Sequence, residues 1–210
     1  MFPPLYAIVD PNLINVPALD LALKLVDGGV ELIQLRDKRA PARKLLHEAL
    51  NWVASLSSSG VRMIVNDRPD IAAMAGAAGV HVGQEDLPVE NARGICGDAC
   101  CVGISTHNLE QVCEADRTSA DYIAFGPMFL TVTKEHSDPV TGFELLRAAR
   151  SLTRKPLVAI GGITVESAPE IYRAGADSVA VIRDLILARD PAQRAREYLS
   201  IAEGTRRRSV

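Results

Sequence analysis

The segment Gln34–Lys38, with the sequence Gln-Leu-Arg-Asp-Lys, contains residue types that bind polyanions. It follows the run Val30–Ile33, which we interpret as part of a buried strand. Because side chains alternate between the two faces of a strand, Gln34, Arg36 and Lys38 are expected on the same face. A planar guanidinium beside a mobile ammonium suits a polyanion such as a diphosphate. The alternative interpretation is a strand end that carries ordinary solvent-exposed charges.

The composition of the chain is that of an ordinary soluble protein. Its 210 residues, with 48% hydrophobic and 23% charged side chains, are interpreted as one domain spanning residues 1–210. The formal net charge of −3 provides no general basic field, so neither nucleic acid nor membrane is expected as a partner. The basic residues Arg206–Arg208 are expected to belong to a frayed tail that begins at about residue 204.

The cysteines do not have the spacing of a metal site. Cys96, Cys100 and Cys101 lie close together, but no second pair of ligands accompanies them. Free thiols fit a reducing cytosol. The sequence contains no signal-peptide pattern and no apolar run of about 18 residues. We therefore expect a cytoplasmic protein.

Short apolar runs alternate eight times with helical patterns along the chain. Continuous apolar runs are typical of parallel strands that are buried on both faces, and eight such units predict a (β/α)8 TIM barrel. An open doubly wound sheet is the alternative, although no Gly-x-Gly-x-x-Gly follows the first strand. The predicted strands are Leu5–Val9, Glu31–Leu35, Val61–Val65, Gly79–Val82, Cys101–Ile104, Tyr122–Phe125, Pro156–Ile160 and Ser178–Ile182.

Polar residues follow these strands at the end where a barrel places its active site. Asp67 and Asp86 follow neighbouring strands and are predicted to bind Mg²⁺, because their hard oxygens suit an ion that also contacts substrate phosphates. Gly161–Gly162 precedes a predicted helix and offers backbone N–H groups to a second phosphate. The other polar groups at strand ends are Arg36 and Lys38, Asn66, Ser105, the loop Thr131–Lys134, and Arg183.

Several of these features also have a plainer interpretation. Asn66–Asp67 could form an ordinary turn, and Gly161–Gly162 could simply allow close packing. Glu85 lies beside Asp86, so the sequence leaves open which of the two carboxylates is the second ligand.

Two histidines are assigned structural positions. His81 lies within an apolar strand and is expected to be a hydrogen-bonded core residue rather than a catalytic one. His107 lies on a loop and is expected to face solvent.

Eight motifs occur along the chain in a recognisable order and spacing: Gln34–Lys38, Val65–Arg68, His81–Asp86, Ser105–His107, Gly126–Pro127, Thr131–Lys134, Ala159–Ile163 and Ala180–Ile182. In these motifs the chain resembles the thiamine-phosphate synthase (thiamine-phosphate pyrophosphorylase) family from about Leu5 to Ala202. The Gln-x-Arg-x-Lys strand end together with the Thr-x-Thr-Lys loop is the most specific part of the resemblance.

The resemblance implies a Mg²⁺-dependent transferase of thiamine biosynthesis. Such an enzyme joins 4-amino-2-methyl-5-(diphosphomethyl)pyrimidine to thiazole phosphate, or to its carboxylated form with loss of CO2. The products are thiamine phosphate and diphosphate. The implied mechanism is dissociative, so no side chain acts as a nucleophile.

The resemblance also assigns residues to each substrate. Asp67 and Asp86 would hold Mg²⁺, and Arg36, Lys38 and Lys134 would act electrostatically. The residues implied for the pyrimidine diphosphate are Gln34, Leu35, Arg36, Asp37, Lys38, Asn66, Ser105 and Lys134. Those implied for the thiazole phosphate are Thr131, Val132, Thr133, Gly162, Ile182 and Arg183.

This chain departs from the family pattern at two places. Arg183 occupies a position where the family often has Ser, and Leu130 and Val132 occupy positions where it commonly has prolines. Two other functions are considered: a thiazole tautomerase, and a non-catalytic relative that binds thiazole phosphate or thiamine phosphate. A homo-oligomer is expected to be possible for a barrel of this type.

Overall fold

The computed structural model describes residues 2–130 and 139–207. Within these residues, eight parallel strands pair in chain order and close into a barrel. Closure is made by the pairing of the first strand with the eighth, in the register Tyr6 with Ala180. The predicted (β/α)8 barrel is therefore confirmed, and the open sheet is excluded. The strands are β1 Leu5–Val9, β2 Leu32–Leu35, β3 Arg62–Asn66, β4 Gly79–Val82, β5 Cys101–Thr106, β6 Tyr122–Phe125, β7 Leu157–Ile160 and β8 Ser178–Val181.

Helices follow the strands and cover the outside of the barrel. Two short elements have no counterpart in the sequence prediction: a 3-10 turn at Pro11–Leu13 and the helix that follows β8. The helices are α1 Ala18–Asp27, α2 Ala42–Leu56, α3 Pro69–Ala75, α4 Val89–Cys96, α5 Leu109–Asp116, α6 Gly142–Leu152, α7 Ala168–Arg173, α8 Arg183–Ile186 and α9 Pro191–Arg207. None of the helices within the described ranges is both long and apolar enough to cross a membrane.

Side-chain hydrogen bonds and the C-terminal residues set two of the helix ends. Helix α7 begins at Ala168, because Thr164 and Ser167 form a turn before it in which the Thr164 N–H donates to Ser167 Oγ at 3.1 Å. Helix α9 continues to Arg207, so residues 204–207 are helical where a frayed tail was predicted.

Alternate residues of each strand form two separate apolar layers. The larger layer lies between strands and helices and includes Leu35, Val65 and Trp52. The smaller layer fills the inside of the barrel and includes Leu32, Ile64 and Val158. This separation follows from the two-residue period of a strand, because neighbouring side chains point to opposite faces. The inside layer ends below the carboxyl ends of the strands, where the polar residues begin.

The Tyr122 side chain crosses the barrel interior from β6. A Cβ on Gly103 of β5 would lie 2.0 Å from the Tyr122 ring, so only glycine leaves room for this ring. Phe2 and Tyr6 pack against the same ring with centroid distances of 5.1 and 5.8 Å. The glycine in β5 thus allows one large aromatic side chain to fill the barrel beneath the site.

Candidate functional site

A cavity of about 450 Å³ opens at the carboxyl ends of the strands. Barrel enzymes have their active sites at this end. The cavity brings together residues from almost the whole length of the chain. The sequence-predicted site residues that line it are Gln34, Arg36, Lys38, Asn66, Asp67, Asp86, Ser105, Gly162, Ile182 and Arg183.

Leu35 and Asp37, also predicted to bind substrate, do not line the cavity. Leu35 belongs to the apolar layer beneath the helices. Asp37 accepts hydrogen bonds from the Asn12 side chain at 2.9 Å and from the backbone N–H groups of Arg39 and Ala40. The alternation along the strand explains this result, because these residues lie between the three that face the cavity. The remaining predicted residues, Thr131, Val132, Thr133 and Lys134, lie outside the described residues.

Arg36 is held by a carboxylate that the sequence analysis missed. Its guanidinium forms an ion pair and a hydrogen bond with Asp10, which follows β1 and is only 4% exposed. Asp10 also accepts hydrogen bonds from the backbone and side chain of Asn12, at 2.9 and 3.0 Å. The buried carboxylate fixes the direction of the guanidinium and leaves its other N–H groups available to a ligand.

Asp67 and Lys38 form an ion pair on the cavity wall, with Lys38 Nζ 3.0 Å from Asp67 Oδ2. Asp67 has a left-handed backbone with φ of 61°, which is uncommon for a residue other than glycine. Burial raises the pKa of Asp67, Lys38 lowers it, and the neighbouring Asp86 raises it again, with a net increase above the ordinary value. The ionised form of Asp67 is therefore disfavoured by its burial and, to a smaller extent, by the neighbouring carboxylate. Such an arrangement suits a bound divalent cation.

The structure distinguishes between Asp86 and its neighbour Glu85. Asp86 lines the cavity, whereas Glu85 is exposed and does not. The Gly83 N–H donates to Asp86 Oδ2 at 2.7 Å and thereby orients the carboxylate. No group of three or more metal-ligating side chains occurs in residues 2–130 and 139–207. Two carboxylates fit Mg²⁺, which commonly keeps water and substrate phosphate oxygens as its other ligands.

The loop after β7 lies against the loop after β6. Gly161 and Gly162 have φ angles of 102° and 67°. A Cβ on Gly162 would lie 2.8 Å from Cβ of Phe129 and 2.9 Å from the Leu130 carbonyl oxygen. The Phe129 N–H donates to the Gly161 carbonyl at 3.0 Å. The glycine pair thus permits this close approach of two loops, and it also lines the cavity.

Arg183 begins α8 and lines the cavity with an exposed side chain. The adjacent Asp184 has other partners: Arg194 Nη1 donates to both of its oxygens, at 2.9 and 3.0 Å, and Tyr198 donates to it at 2.6 Å. The Val165 N–H also donates to Asp184, at 3.2 Å. The neighbouring carboxylate is therefore engaged with α9 and the β7 loop, and the positive charge of Arg183 remains available at the cavity.

A chain of hydrogen bonds crosses the floor of the cavity, and we call it the floor chain. Gln34 Nε2 donates to the Tyr6 hydroxyl at 2.7 Å, and the Tyr6 and Tyr122 hydroxyls lie 3.0 Å apart. The Tyr122 hydroxyl lies 2.9 Å from His81 Nδ1, and His81 Nε2 lies 2.8 Å from Ser105 Oγ. The expectation that His81 is a hydrogen-bonded core residue is confirmed, and it lines the cavity as well.

His107 was expected to face solvent, and this expectation is wrong. Its side chain is half-buried and lines the cavity, with Nδ1 2.7 Å from the Gly126 carbonyl oxygen. Among the residues that sequence reasoning missed, Asp10 could have been found by the rule that polar residues follow strands, because it directly follows β1. The tyrosines of the floor chain gave no such signal, because aromatic residues within strands usually indicate core.

The fold and the cavity define a class of protein: a (β/α)8 barrel with a site suited to phosphorylated ligands. Residues 5–185 match the model of a family described as thiamine monophosphate synthase. The chain belongs to this family. The predicted family is therefore confirmed, and with it the predicted thiamine-phosphate synthase activity.

Individual relatives agree with this assignment. The chain is 50% identical to a thiamine-phosphate synthase from Koribacter versatilis over 204 residues, which covers 95% of each chain. It is 39% identical to a thiamine-phosphate synthase from Methanocella arvoryzae, covering 94% of this chain and 93% of the relative. The solved structure of a thiamine phosphate pyrophosphorylase from Pyrococcus furiosus superimposes with a TM-score of 0.88, at 32% identity and with 96% of each chain covered.

Proposed function

We propose that the cavity joins 4-amino-2-methyl-5-(diphosphomethyl)pyrimidine to thiazole phosphate, or to its carboxylated form with loss of CO2. The products are thiamine phosphate and diphosphate. The observation that carries the proposal is the division of charge within one cavity. Arg36, Lys38, Asp67 and Asp86 follow β2, β3 and β4, whereas Gly162 and Arg183 follow β7 and β8. The first group suits a metal-bound diphosphate, and the second suits a monophosphate.

The proposed reaction depends on stabilising a leaving diphosphate. Breaking the bond between the methylene carbon and the diphosphate oxygen places negative charge on the diphosphate and positive charge on the pyrimidine. Arg36, held by Asp10, and Lys38 interact more strongly with the charge that develops than with the bound substrate, which lowers the barrier. The thiazole nitrogen then captures the methylene carbon, so the enzyme needs no nucleophilic side chain. Holding both substrates in one cavity supplies the required proximity.

Asp67 and Asp86 are the residues that would hold Mg²⁺. Bound there, the ion would neutralise negative charge on the diphosphate. The raised pKa of Asp67 supports this assignment, because burial and, to a smaller extent, the neighbouring Asp86 disfavour the ionised carboxylate, and a bound cation would offset both effects. Lys38 compensates for part of this charge in the structure, and its flexible side chain can instead contact the diphosphate when a metal is present.

An endpoint assay tests the reaction. The purified protein is incubated with the pyrimidine diphosphate, thiazole phosphate and Mg²⁺, and thiamine phosphate is detected after oxidation to its fluorescent thiochrome. We expect a product that disappears with EDTA and returns when Mg²⁺ is added in excess. A folded protein that forms no product would contradict the proposal and favour a tautomerase or a non-catalytic binding protein.

A matched pair of variants tests the metal site. Asp86→Asn removes the carboxylate that lines the cavity, whereas Glu85→Gln removes its exposed neighbour. We expect the first variant to require much more Mg²⁺ for half-maximal activity and the second to behave like the wild type. Equal effects of the two substitutions would contradict the assignment of Asp86.

We also propose that the protein is cytoplasmic and that it assembles as a homo-oligomer. The four cysteines are free thiols, as expected in a reducing compartment. Size-exclusion chromatography with light scattering measures the number of subunits directly.

A further inference from the structure

We infer that Tyr6, Tyr122 and His81 are positioning residues that orient Gln34 and Ser105 toward the pyrimidine ring of the substrate. This inference rests on the proposed function, because it names the groups that would select the pyrimidine within the same cavity. None of the three was predicted to bind substrate. Their role follows from the floor chain, which connects two cavity-lining residues on β2 and β5.

The floor chain is buried along its length. Tyr6 is 1% exposed, Tyr122 is fully buried and His81 is 7% exposed. The barrel interior around them is otherwise apolar, with Leu32, Ile64 and Val158 among its members. Buried polar groups cost free energy unless they are hydrogen-bonded, and each link of the floor chain has a length of 2.7 to 3.0 Å. A chain of this kind has few alternative arrangements, so it holds its two ends in fixed orientations.

The donor at the Gln34 end sets the direction of the hydrogen bonds along the floor chain. Tyr6 accepts a hydrogen bond from Gln34 Nε2, so its own hydroxyl proton is available to Tyr122. Tyr122 then donates to Nδ1 of a neutral His81, and His81 Nε2–H donates to Ser105 Oγ. With Gln34 Nε2 facing Tyr6, the opposite direction would leave the hydroxyl proton of Tyr6 without an acceptor in the floor chain, although Tyr6 is buried. The first direction avoids this cost and leaves the Ser105 proton free at the cavity wall.

This direction gives the two ends of the chain opposite roles in the cavity. Gln34 uses Nε2 to bond with Tyr6, and within the described part of the chain its Oε1 makes no hydrogen bond and remains an acceptor. Ser105 Oγ accepts a hydrogen bond from His81, so its own hydroxyl proton can be donated to a ligand. An aminopyrimidine presents an exocyclic amine that donates and ring nitrogens that accept. The floor chain thus presents the complementary polarity to this ring, while diphosphate recognition is left to Arg36 and Lys38.

The test compares a diphosphate that carries the pyrimidine with one that lacks it. Isothermal titration calorimetry measures the Kd of the pyrimidine diphosphate and of inorganic diphosphate, each with Mg²⁺. The variants are Tyr122→Phe, which breaks the middle of the floor chain, and Tyr6→Phe, which breaks its Gln34 end. Both keep the aromatic ring that fills the barrel. We expect each variant to raise the Kd of the pyrimidine diphosphate about tenfold and to leave the Kd of inorganic diphosphate within about twofold of the wild type.

Tyr172→Phe is the matched control. Its hydroxyl donates to the Pro4 carbonyl at 2.9 Å from helix α7, and Tyr172 does not line the cavity. We expect this variant to bind both ligands like the wild type. The ligand pair separates a positioning role from a structural one, because loss of fold would weaken both ligands together.

Three outcomes would overturn the inference. Variants that bind both ligands as the wild type does would show that the floor chain does not position Gln34 and Ser105. Variants that lose affinity equally for both ligands would assign it a structural role. A wild type that does not prefer the pyrimidine diphosphate to inorganic diphosphate would overturn the inference together with the proposed pyrimidine site, and it is recognised without any variant.

Discussion

Asp67 shows how a single residue can be suited to binding at a cost to stability. Its carboxylate is largely buried next to Asp86, and its backbone is left-handed with φ of 61°. Lys38, whose side chain is half-exposed, compensates for only part of this cost. We interpret the arrangement as a metal-binding feature, because the same carboxylates become favourable when a cation binds between them.

The substitution Asp67→Asn tests this interpretation. Asn tolerates the left-handed backbone and removes the charge, so the free energy of unfolding without metal at pH 7 is expected to be unchanged or raised by about 1 kcal/mol. Turnover that depends on Mg²⁺ is expected to fall by about 100-fold or more. Chemical denaturation and the thiochrome assay measure the two effects. A destabilised variant, or one with normal turnover, would contradict the assignment.

The pH dependence of this substitution follows from the raised pKa of Asp67. Above the folded-state pKa, ionisation of the buried Asp67 lowers the free energy of unfolding of the wild type. The variant has no group that ionises at this position. Below the ordinary value of 3.8, Asp67 is protonated in both the folded and the unfolded state. Any stability gained by the variant should therefore be present at pH 7 and disappear as the pH falls below 3.8. A gain that grows on acidification would have the wrong sign.

Arg183 supplies a test on the opposite side of the cavity. Its exposed guanidinium lines the cavity, and the neighbouring Asp184 is engaged by Arg194 and Tyr198. We expect Arg183→Ser to raise the KM for thiazole phosphate about threefold to tenfold and to leave the KM for the pyrimidine diphosphate unchanged, because an exposed ionic contact contributes modestly. Arg189→Ser, at another exposed arginine outside the cavity, is the control. An increase in both KM values would contradict a specific phosphate contact.

At the scale of elements, the β6 and β7 loops depend on each other. Their backbones are joined by hydrogen bonds from Met128 to Ile160, at 2.8 Å, and from Phe129 to Gly161, at 3.0 Å. Gly162 approaches the β6 loop so closely that a side chain would collide with it. The position of the cavity wall after β7 is therefore set by the preceding loop as well as by the barrel.

Gly162→Ala tests this dependence. The left-handed backbone and the contacts of 2.8 and 2.9 Å are expected to cost about 2 to 4 kcal/mol of stability and to raise the KM for thiazole phosphate. The control is Gly60→Ala, because Gly60 has φ of 71° but no atom within 4 Å of an added Cβ. That variant is expected to lose only about 1 kcal/mol, with unchanged kinetics. Equal losses in the two variants would mean that backbone strain alone matters at Gly162.

Much of the site could be predicted from the sequence, because strand alternation and strand ends are local properties. Gln34, Arg36 and Lys38 face the cavity as their spacing indicates, and Leu35 lies on the opposite face as the same rule requires. The floor chain could not be predicted, because its bonds join residues 116 and 41 positions apart and depend on barrel register. Helix ends were less predictable, since the turn before α7 is set by one side-chain hydrogen bond.

At the scale of the whole molecule, the barrel interior supports the site from below. The Tyr122 ring occupies space that exists only because residue 103 is glycine. A side chain at residue 103 would displace this ring and with it the hydroxyl that joins Tyr6 to His81. The packing of the barrel and the arrangement of the cavity floor are therefore one structural feature.

Gly103→Ala is the corresponding prediction. The added Cβ would lie 2.0 Å from the Tyr122 ring, so we expect a loss of about 3 kcal/mol or more and weaker binding of the pyrimidine diphosphate. The control is Gly94→Ala. Gly94 lies on the exposed side of α4, within the helix, and an added Cβ would meet open space. This variant is expected to be more stable than the wild type by about 0.5 to 1 kcal/mol. Thermal and denaturant unfolding measure both. Two changes of the same sign would contradict this description of the barrel interior.

The first measurement to make is a ³¹P NMR time course with the pyrimidine diphosphate, thiazole phosphate and Mg²⁺. A cavity that holds both substrates should release free diphosphate and form thiamine phosphate in equal amounts, and it should do so only when both substrates and the metal are present. Diphosphate released without a matching amount of thiamine phosphate, or no release by the folded wild-type protein, would contradict the proposal that one cavity joins the two substrates.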